Sequence, residues 1–272
     1  MQASKDILVV NHLFKSYTES KFFRKKFIAV DKVSFKVKQG EIFGITGHNS
    51  CGKSTIANML VGLVEPDDGE IIFANRPLLH GDSKYRREHI RLAKIELIDS
   101  FFLARNVAEF LALPLKLVHG EKESQTDLIK QISETLHFLE APSDLINKPL
   151  KRLNNQEKAL VCLAHALILD PEIIIVDDIF ATCDLSFNGV LVNLLLKLQE
   201  VGKTIILITS ELGIIKHVTD RVMILQGGVI EDLGKTYDVL TNSCNEFTNR
   251  LVKSYFGHRL KASNWLFSFK EF

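Results

Sequence analysis

The stretch "GHNSCGKST", residues 47 to 55, decides the fold class of this chain. It fits the pattern G-x-x-x-x-G-K-[S/T], in which glycines let backbone N–H groups close around phosphate oxygens. An apolar segment, "IFGIT", precedes the motif, and an amphipathic segment follows it. A helix that starts directly after the loop directs its positive end at the phosphates. The sequence therefore predicts a P-loop that binds a nucleotide.

Individual residues of the motif have separate expected roles. Lys53 is predicted to reach the β- and γ-phosphates, and the Ser54 hydroxyl is predicted to bind Mg²⁺. Cys51 is interpreted as a small filler of the loop rather than a reactive thiol. The whole motif is taken as the candidate nucleotide-binding set, which comprises Gly47, His48, Asn49, Ser50, Cys51, Gly52, Lys53, Ser54 and Thr55.

A second segment, "IIIVDDIFATCD" at residues 173 to 184, ends an apolar run in two aspartates. Alone, this pattern fits a buried strand that meets water as well as it fits a metal site. A P-loop elsewhere in the chain favours the metal site, because P-loop enzymes hold Mg²⁺ with an acid at the carboxyl end of a parallel strand. Asp177 is therefore the predicted metal ligand. Asp178 is the predicted catalytic carboxylate, which acts as a base or positions water.

Short apolar segments alternate with helical patterns around these two motifs. "ILVVNHLFKSY" and "TIILITS" are typical of strands, whereas "GKSTIANMLVGLV" predicts a helix. One face of that helix is predicted to carry four apolar residues, which are Ile56, Met59, Leu60 and Leu63. Strands that alternate with helices indicate an α/β fold with a mainly parallel sheet.

The chain is interpreted as a single domain, residues 1–272, with two additions. The segment from 98 to 167 has a mostly helical pattern, which predicts an inserted helical subdomain at approximately 90–165. Residues from approximately 240 to 272 form a predicted C-terminal extension. Its aromatic tail, "KASNWLFSFKEF", is expected to dock on its own domain, with a partner or membrane surface as the alternative.

Composition excludes several classes of protein. The net charge is +1, which provides no general basic field for nucleic acid. The four cysteines fall at no metal-ligand or disulfide spacing, as is typical of a reducing cytosol. The first ten residues lack a signal-peptide pattern, and no apolar run approaches the roughly 18 residues that indicate a membrane span. We expect a soluble, cytoplasmic protein.

The order of the motifs resembles that of the ATPase subunits of ATP-binding cassette transporters over nearly the whole chain. "KSY" stands upstream, and the P-loop, a helical lobe and the acidic strand follow. The resemblance implies a P-loop NTPase core, an N-terminal antiparallel β subdomain and an inserted α-helical subdomain. "LAHALILDPEIIIVDD" and "FTNRLVKSYFGHRL" are similar to the oligopeptide-importer branch.

This resemblance implies cofactors, partners and a location. Tyr17 would stack on adenine, and two cassettes would sandwich two molecules of ATP with Mg²⁺. The helical lobe would dock on integral-membrane permease subunits. The protein would then be peripheral to the cytoplasmic face of the inner (cell) membrane and would power the import of peptides, antimicrobial peptides among them.

Four of the family's functional positions differ in this chain. The Q-loop glutamine falls on Ile95, the catalytic glutamate on Asp178 and the switch histidine on Glu211. The signature "LSGGQ" falls on residues 153–157, and its candidate contact residues are Asn154, Asn155 and Gln156. The D-loop aspartate is kept as Asp184.

The departures predict that ATP binding survives better than turnover. Asp178 is one methylene shorter than glutamate, and a misplacement of about 1 Å costs on the order of 10²-fold in rate. Glu211 would place a carboxylate near the γ-phosphate, so it must turn away, be neutralised or weaken ATP binding. Pairing with a second, more complete ATPase subunit in a heterodimer would reduce these handicaps.

The sequence is compatible with three functions, which differ in how strongly it favours them. The leading one is an ATPase subunit of a peptide importer with slow hydrolysis. The alternative is a regulatory or structural subunit that binds nucleotide and hardly hydrolyses it. A cassette protein that acts on DNA or ribosomes is disfavoured, because the chain has the length of about one cassette and a nearly neutral charge.

Overall fold

Two β-sheets form the framework of the chain. A computed structural model describes residues 5–18, 26–79, 81–99, 104–119 and 124–257. The aromatic tail and its predicted docking therefore lie outside the described residues. The strands, in chain order, are β1 (Asp6–Thr18), β2 (Lys26–Lys38), β3 (Ile42–Gly47), β4 (Asp68–Phe73), β5 (Arg76–Pro77), β6 (Ile90–Ala93), β7 (Ile173–Asp177), β8 (Thr204–Ile208), β9 (Arg221–Gln226) and β10 (Val229–Lys235).

The larger sheet has six strands in the order β10-β9-β3-β8-β7-β6. β3 pairs in parallel with β8 and β9, and β7 pairs in parallel with β8 and β6. Only the β9–β10 hairpin is antiparallel among the described pairs of this sheet. Because the carboxyl ends of parallel strands share one edge, the loop after β3 and the acids after β7 meet there. The predicted α/β fold with a mainly parallel sheet is confirmed.

The smaller sheet has four strands in the order β2-β1-β4-β5, and its pairs are antiparallel. It corresponds to the antiparallel β subdomain predicted from the resemblance. Tyr17 of β1 lies opposite Phe27 of β2 near the end of their ladder. This cross-strand pair brings two aromatic rings to one edge of the sheet.

The helices of the described chain, in order, are α1 (Lys53–Leu60), α2 (Ser83–His89), α3 (Ile95–Asp99), α4 (Val107–His119), α5 (Gln125–Phe138), α6 (Asn155–Leu167), α7 (Leu185–Glu200), α8 (Leu212–Val218), α9 (Thr236–Asn242) and α10 (Glu246–Phe256). Among the residues described, none of these helices combines the length and apolar character needed to cross a membrane.

The end of α1 corrects one prediction. Ile56, Met59 and Leu60 are fully buried, as expected for the apolar face. Leu63 was predicted to share that face, and this prediction is wrong, because Leu63 lies beyond the helix and is 64% exposed. The reason is Gly62, whose φ of +76° turns the chain out of the helix before Leu63.

The helical middle packs on one end of the parallel sheet. β6 is an edge strand of the six-stranded sheet. The helices α3, α4, α5 and α6 all lie between β6 and β7 in the chain. Their buried faces join one apolar cluster, which includes Phe110 of α4, Ile132 of α5 and Leu160 of α6. A second cluster, around Phe43 and Met59, fills the space between the two sheets and α1.

Candidate nucleotide-binding site

Two glycines of the P-loop are required by their surroundings. Gly47 has a φ of +146°, and a Cβ atom there would lie 2.2 Å from the backbone oxygen of Leu225. Gly52 has a φ of +107°, and a Cβ atom would lie 2.3 Å from the backbone oxygen of Ala29. Any side chain at either position would therefore both strain the backbone and collide with a neighbouring strand. The loop keeps its shape because these two residues have no side chain.

Lys53 holds its ammonium group inside the curve of the loop. Nζ donates hydrogen bonds to the backbone oxygens of Gly47, at 2.8 Å, and of His48, at 2.9 Å. These carbonyls fix the cation at the start of α1, where the backbone N–H groups also point outward. The arrangement concentrates positive charge where phosphate oxygens would lie.

The two predicted Mg²⁺ ligands are brought together across the sheet edge. The Ser54 hydroxyl lies 3.4 Å from Oδ1 of Asp177, which ends β7. The Asp177 side chain is only 1% exposed. A hydroxyl and a carboxylate oxygen are hard ligands of the kind that Mg²⁺ prefers. The donor set therefore fits this metal.

An open pocket of about 290 Å³ lies over this edge. Most of the predicted site residues line it, namely Tyr17, Asn49, Ser50, Gly52, Lys53, Ser54, Thr55, Asp177 and Asp178. Phe27 and Ala29 also line it and were missed by the sequence reasoning. Phe27 stands opposite Tyr17 and is 47% exposed, so both rings can present apolar surface to a base. Phe27 is identified by the pairing of β1 with β2, which the sequence alone does not show.

Three residues of the motif, Gly47, His48 and Cys51, do not line the pocket. Gly47 is buried, and Cys51 is 5% exposed within the second apolar cluster, as its interpretation as a filler requires. His48 makes an edge contact with Phe247 of α10, with ring centroids 5.5 Å apart. The P-loop is thus in contact with the C-terminal helix.

Asp178 lies at the pocket in a left-handed backbone conformation, with a φ of +55°. Its N–H donates to the backbone oxygen of Ile208, at 2.9 Å, which fixes this unusual turn. Partial burial, together with the nearby carboxylates of Asp177, Glu96 and Glu211, raises the pKa of Asp178, while Lys53 opposes the rise. The net rise makes the Asp178 carboxylate a stronger proton acceptor than that of an isolated aspartate.

A lysine that the sequence reasoning did not single out contacts the carboxylate of Asp177, the predicted metal ligand. Nζ of Lys94 lies 3.1 Å from Oδ2 of Asp177 and 3.7 Å from Oε2 of Glu96. Oδ2 accepts no well-directed hydrogen bond, so the contact with Lys94 is mainly Coulombic. Burial alone would lower the pKa of Lys94, but Asp177 and Glu96 outweigh it and raise this pKa, so the ammonium stays charged.

Ile95, at the Q-loop glutamine position, does not act as a polar link. It starts α3 and packs against the apolar cluster of the helical middle. The structure therefore explains the substitution, because the side chain contributes to the packing of the lobe.

The signature segment forms a capping box at the start of α6. The N–H of Glu157 donates to Oδ1 of Asn154, at 2.9 Å, and the N–H of Asn154 donates to Oε2 of Glu157, at 3.0 Å. Lys148 also donates to both carboxylate oxygens of Glu157, at 2.7 and 2.8 Å. Burial would raise the pKa of Glu157, but these hydrogen bonds outweigh it and lower the pKa. The carboxylate is therefore held within its own chain.

The remaining signature residues contact the D-loop. Nδ2 of Asn155 donates to the backbone oxygen of Thr182, at 2.9 Å, and Nε2 of Gln156 donates to Oδ2 of Asp184, at 2.6 Å. Asp184 also caps α7 by accepting from the N–H of Phe187, at 2.8 Å. Signature and D-loop thus form one connected surface.

The carboxylate at the switch position is held by the C-terminal helix. The hydroxyl of Tyr255, on α10, donates to Oε2 of Glu211, at 2.7 Å. Burial and this bond raise the pKa of Tyr255 to about 12, so the hydroxyl keeps its proton. Glu211 was expected to turn away from the γ-phosphate, to be neutralised or to weaken ATP binding. The hydrogen bond to Tyr255 supports the first of these outcomes.

Known proteins match most of the length of this chain. The family model described as "ABC transporter" matches residues 30–181, more than half of the chain. The peptide transport system ATP-binding protein SapF of Salmonella typhimurium (strain LT2) is 34% identical over 95% of this chain and 97% of its own length. SapF of Escherichia coli (strain K12), named as part of a putrescine export system, matches with the same identity and coverage. The oligopeptide transport ATP-binding protein OppF of Haemophilus influenzae is 31% identical over 91% of this chain and 77% of its own length.

Solved cassettes share the fold. The dimeric structure of MJ0796, a bacterial ABC transporter cassette, matches with a TM-score of 0.76 and 26% identity, covering 84% of this chain and 98% of that one. The same cassette is also known bound to ADP and inorganic phosphate, with the same TM-score. These matches confirm the family, the cassette fold and the similarity to the oligopeptide-importer branch that the quoted segments indicate. The chain belongs to the ATP-binding subunits of ABC transporters.

Proposed function

We propose that this chain binds ATP and Mg²⁺ in the pocket after β3 and powers the import of peptides as one of two cassettes of a transporter. The observation that carries the proposal is the assembly of Lys53, Ser54 and Asp177 at one sheet edge. Tyr17 and Phe27 supply the surface for adenine. The similarity to SapF and OppF proteins supports peptides as the substrate class.

Removal of the Lys53 ammonium tests nucleotide binding. We expect Lys53→Ala to abolish measurable binding of ATP with Mg²⁺ in isothermal titration calorimetry, because the loop carbonyls and the phosphates would lose their shared cation. Lys203→Ala is the control, since Lys203 is an ion-paired lysine that contacts Asp170 rather than the pocket. Equal ATP affinities for the wild type and Lys53→Ala would contradict the proposal.

A second candidate is a regulatory subunit that binds ATP and hardly hydrolyses it. It is favoured by Ile95, which packs in the lobe, and by Glu211, which is bonded to Tyr255. Ile95 has no polar group to contact water or metal, and an ionised Glu211 has no hydrogen to donate to phosphate. We propose slow hydrolysis for the isolated chain, and steady-state phosphate release measures it.

The proposed assembly is peripheral to the cytoplasmic face of the cell membrane. Dimerisation is supported by the dimeric MJ0796 neighbour, and the heterologous partner is inferred from the altered positions of this chain. The helical middle is the proposed contact with integral-membrane permease subunits. Co-purification of these subunits with the tagged chain from membranes, and loss of the chain from membranes that lack them, tests this arrangement.

The names of the relatives divide between peptide transport and putrescine export. Vesicles that contain the reconstituted transporter distinguish the two. We expect ATP-dependent accumulation of a labelled peptide on the side of the membrane that carries the cassettes, and we expect this accumulation to fail when Lys53 is replaced. ATP-dependent movement of labelled putrescine alone, away from the cassettes, would overturn the peptide assignment while leaving the ATPase role intact.

A further inference from the structure

Lys94 occupies a fixed place beside the metal-site carboxylate. Ala93, the last residue of β6, pairs with Val176 of β7, so Lys94, which follows β6, lies beside Asp177, which ends β7. The Asp177 side chain is 1% exposed and that of Lys94 is 22% exposed. The ion pair is therefore largely shielded from solvent, where charges interact more strongly than at an open surface.

The charges of the pocket show what this lysine neutralises. Asp177 and Asp178 are both adjacent to the P-loop, and Lys53 is the cation of the loop itself. A bound triphosphate adds more negative charge next to Asp177. A divalent cation between the carboxylate and the phosphates would relieve this repulsion. Lys94 already supplies one positive charge at the same carboxylate.

We propose that Lys94 is a built-in counter-ion of Asp177 that takes over part of the charge neutralisation provided by Mg²⁺, so that this pocket binds metal-free ATP nearly as tightly as ATP with Mg²⁺. The inference rests on the proposed binding of ATP at this pocket. Its chemical basis is that Lys94, at Oδ2, neutralises part of the charge of the carboxylate whose Oδ1 faces Ser54, so less negative charge is left for Mg²⁺ to offset. Lys94 therefore lowers the benefit of the metal and also reduces the penalty for its absence.

The test compares ATP affinity with and without the metal. Isothermal titration calorimetry is carried out on the full chain with ATP, in excess Mg²⁺ and in excess EDTA. For the wild type we expect the two dissociation constants to agree within about threefold. For Lys94→Met, which keeps an unbranched apolar side chain and removes the charge, we expect affinity in EDTA to fall at least about tenfold below that in Mg²⁺.

Two further variants separate charge from structure. Lys94→Arg keeps the charge and should retain the wild-type ratio of the two dissociation constants. Lys203→Met removes a lysine of similar exposure from its pair with Asp170, outside the pocket, and should leave the ratio unchanged. Thermal unfolding of each variant establishes that it is folded.

The outcomes distinguish this inference from the proposed function. A wild-type loss of more than about tenfold on removal of Mg²⁺ overturns the role of Lys94, whatever the variants do. An unchanged ratio in folded Lys94→Met overturns it as well. ATP binding that survives Lys53→Ala under both conditions instead overturns the proposed nucleotide site.

Discussion

At the residue scale, Asp178 and Glu211 govern the expected rate of hydrolysis. Asp178 lies in the pocket on a left-handed turn, and burial together with neighbouring carboxylates raises its pKa. It has one methylene less than the glutamate of the family pattern, and its N–H is bonded to the backbone oxygen of Ile208. Glu211 contributes negative charge at a position where the pattern has a hydrogen-bond donor.

The first prediction follows from these two positions. The double variant Asp178→Glu with Glu211→His should hydrolyse ATP on the order of 10²-fold faster than the wild type, because it restores the reach of the base and a donor toward phosphate. Phosphate release in the presence of Mg²⁺ measures the rate. Wild-type turnover already within the usual range of about 1–10³ per second would contradict the interpretation of a slowed site.

A second residue-scale prediction concerns the shape of the P-loop. Gly52→Ala should abolish ATP binding and lower the free energy of unfolding by about 1–3 kcal/mol, because its φ of +107° and the Ala29 oxygen at 2.3 Å both oppose a Cβ atom. Gly202→Ala is the matched control, since Gly202 has a φ of +88° with open space around it. Gly202→Ala should lower the free energy of unfolding only through its strained backbone conformation, and it should keep the wild-type ATP affinity. Equal effects of both variants on binding would show that the collision is unimportant.

At the element scale, α10 contacts both the P-loop and the residue that precedes α8. Phe247, near its start, contacts His48 of the P-loop, and Tyr255, near its end, bonds Glu211 before α8. A Cβ atom on Gly213 would lie 3.3 Å from the Tyr255 hydroxyl, so the small residue leaves room for this contact. Through Tyr255, α10 therefore holds the carboxylate of Glu211 by a hydrogen bond.

The bond between Tyr255 and Glu211 predicts a pH-dependent stability. The pKa of Tyr255 is raised from 10 to about 12, so the folded state holds this proton more tightly than the unfolded chain. The contribution is complete below pH 10 and disappears as the pH rises toward 12. Tyr255→Phe should lower the free energy of unfolding by about 1 kcal/mol at pH 8, a modest value because the side chain is 43% exposed.

Urea unfolding of the wild type and Tyr255→Phe, measured over this pH range, tests that prediction. The difference in the free energy of unfolding between the two proteins should shrink as the pH passes 10. A difference that stays constant up to the highest pH would mean that the hydroxyl contributes without its bond to Glu211.

Elements with local sequence signals were the predictable ones. The P-loop and the acidic strand end are each encoded within a dozen residues, and the alternation of strands and helices places both at one edge of a parallel sheet. Phe27, Lys94 and Tyr255 escaped notice because each reaches the site through a tertiary contact. Tyr255, for example, is 44 positions from Glu211. The misplaced Leu63 shows the converse, since its apolar period continued past a glycine that had already ended the helix.

At the scale of the whole molecule, the two halves of an ATP site are unequally preserved in this chain. The P-loop half combines an intact loop with Asp178 and Glu211. The signature half lacks the glycines of the family pattern but has internal hydrogen bonds, in which Gln156 contacts Asp184 and Lys148 contacts Glu157. In the proposed cassette dimer each ATP lies between the P-loop of one chain and the signature of the other. A homodimer would then place both altered halves in each of its sites.

The last prediction is that the working dimer is heterologous and that its faster site uses the partner's P-loop. That site would combine the partner's base with Asn154 and Asp184 of this chain, which cap α6 and α7, so only one half of it is altered. In a co-purified complex, replacing the P-loop lysine of the partner by alanine should therefore lower ATPase activity more than Lys53→Ala does. The matched pair of single substitutions controls for assembly, because both remove one phosphate-binding cation from the same complex. A larger loss from Lys53→Ala, or full activity from this chain alone, would overturn the unequal dimer, since either result requires the site built on Asp178 and Glu211 to be the faster one.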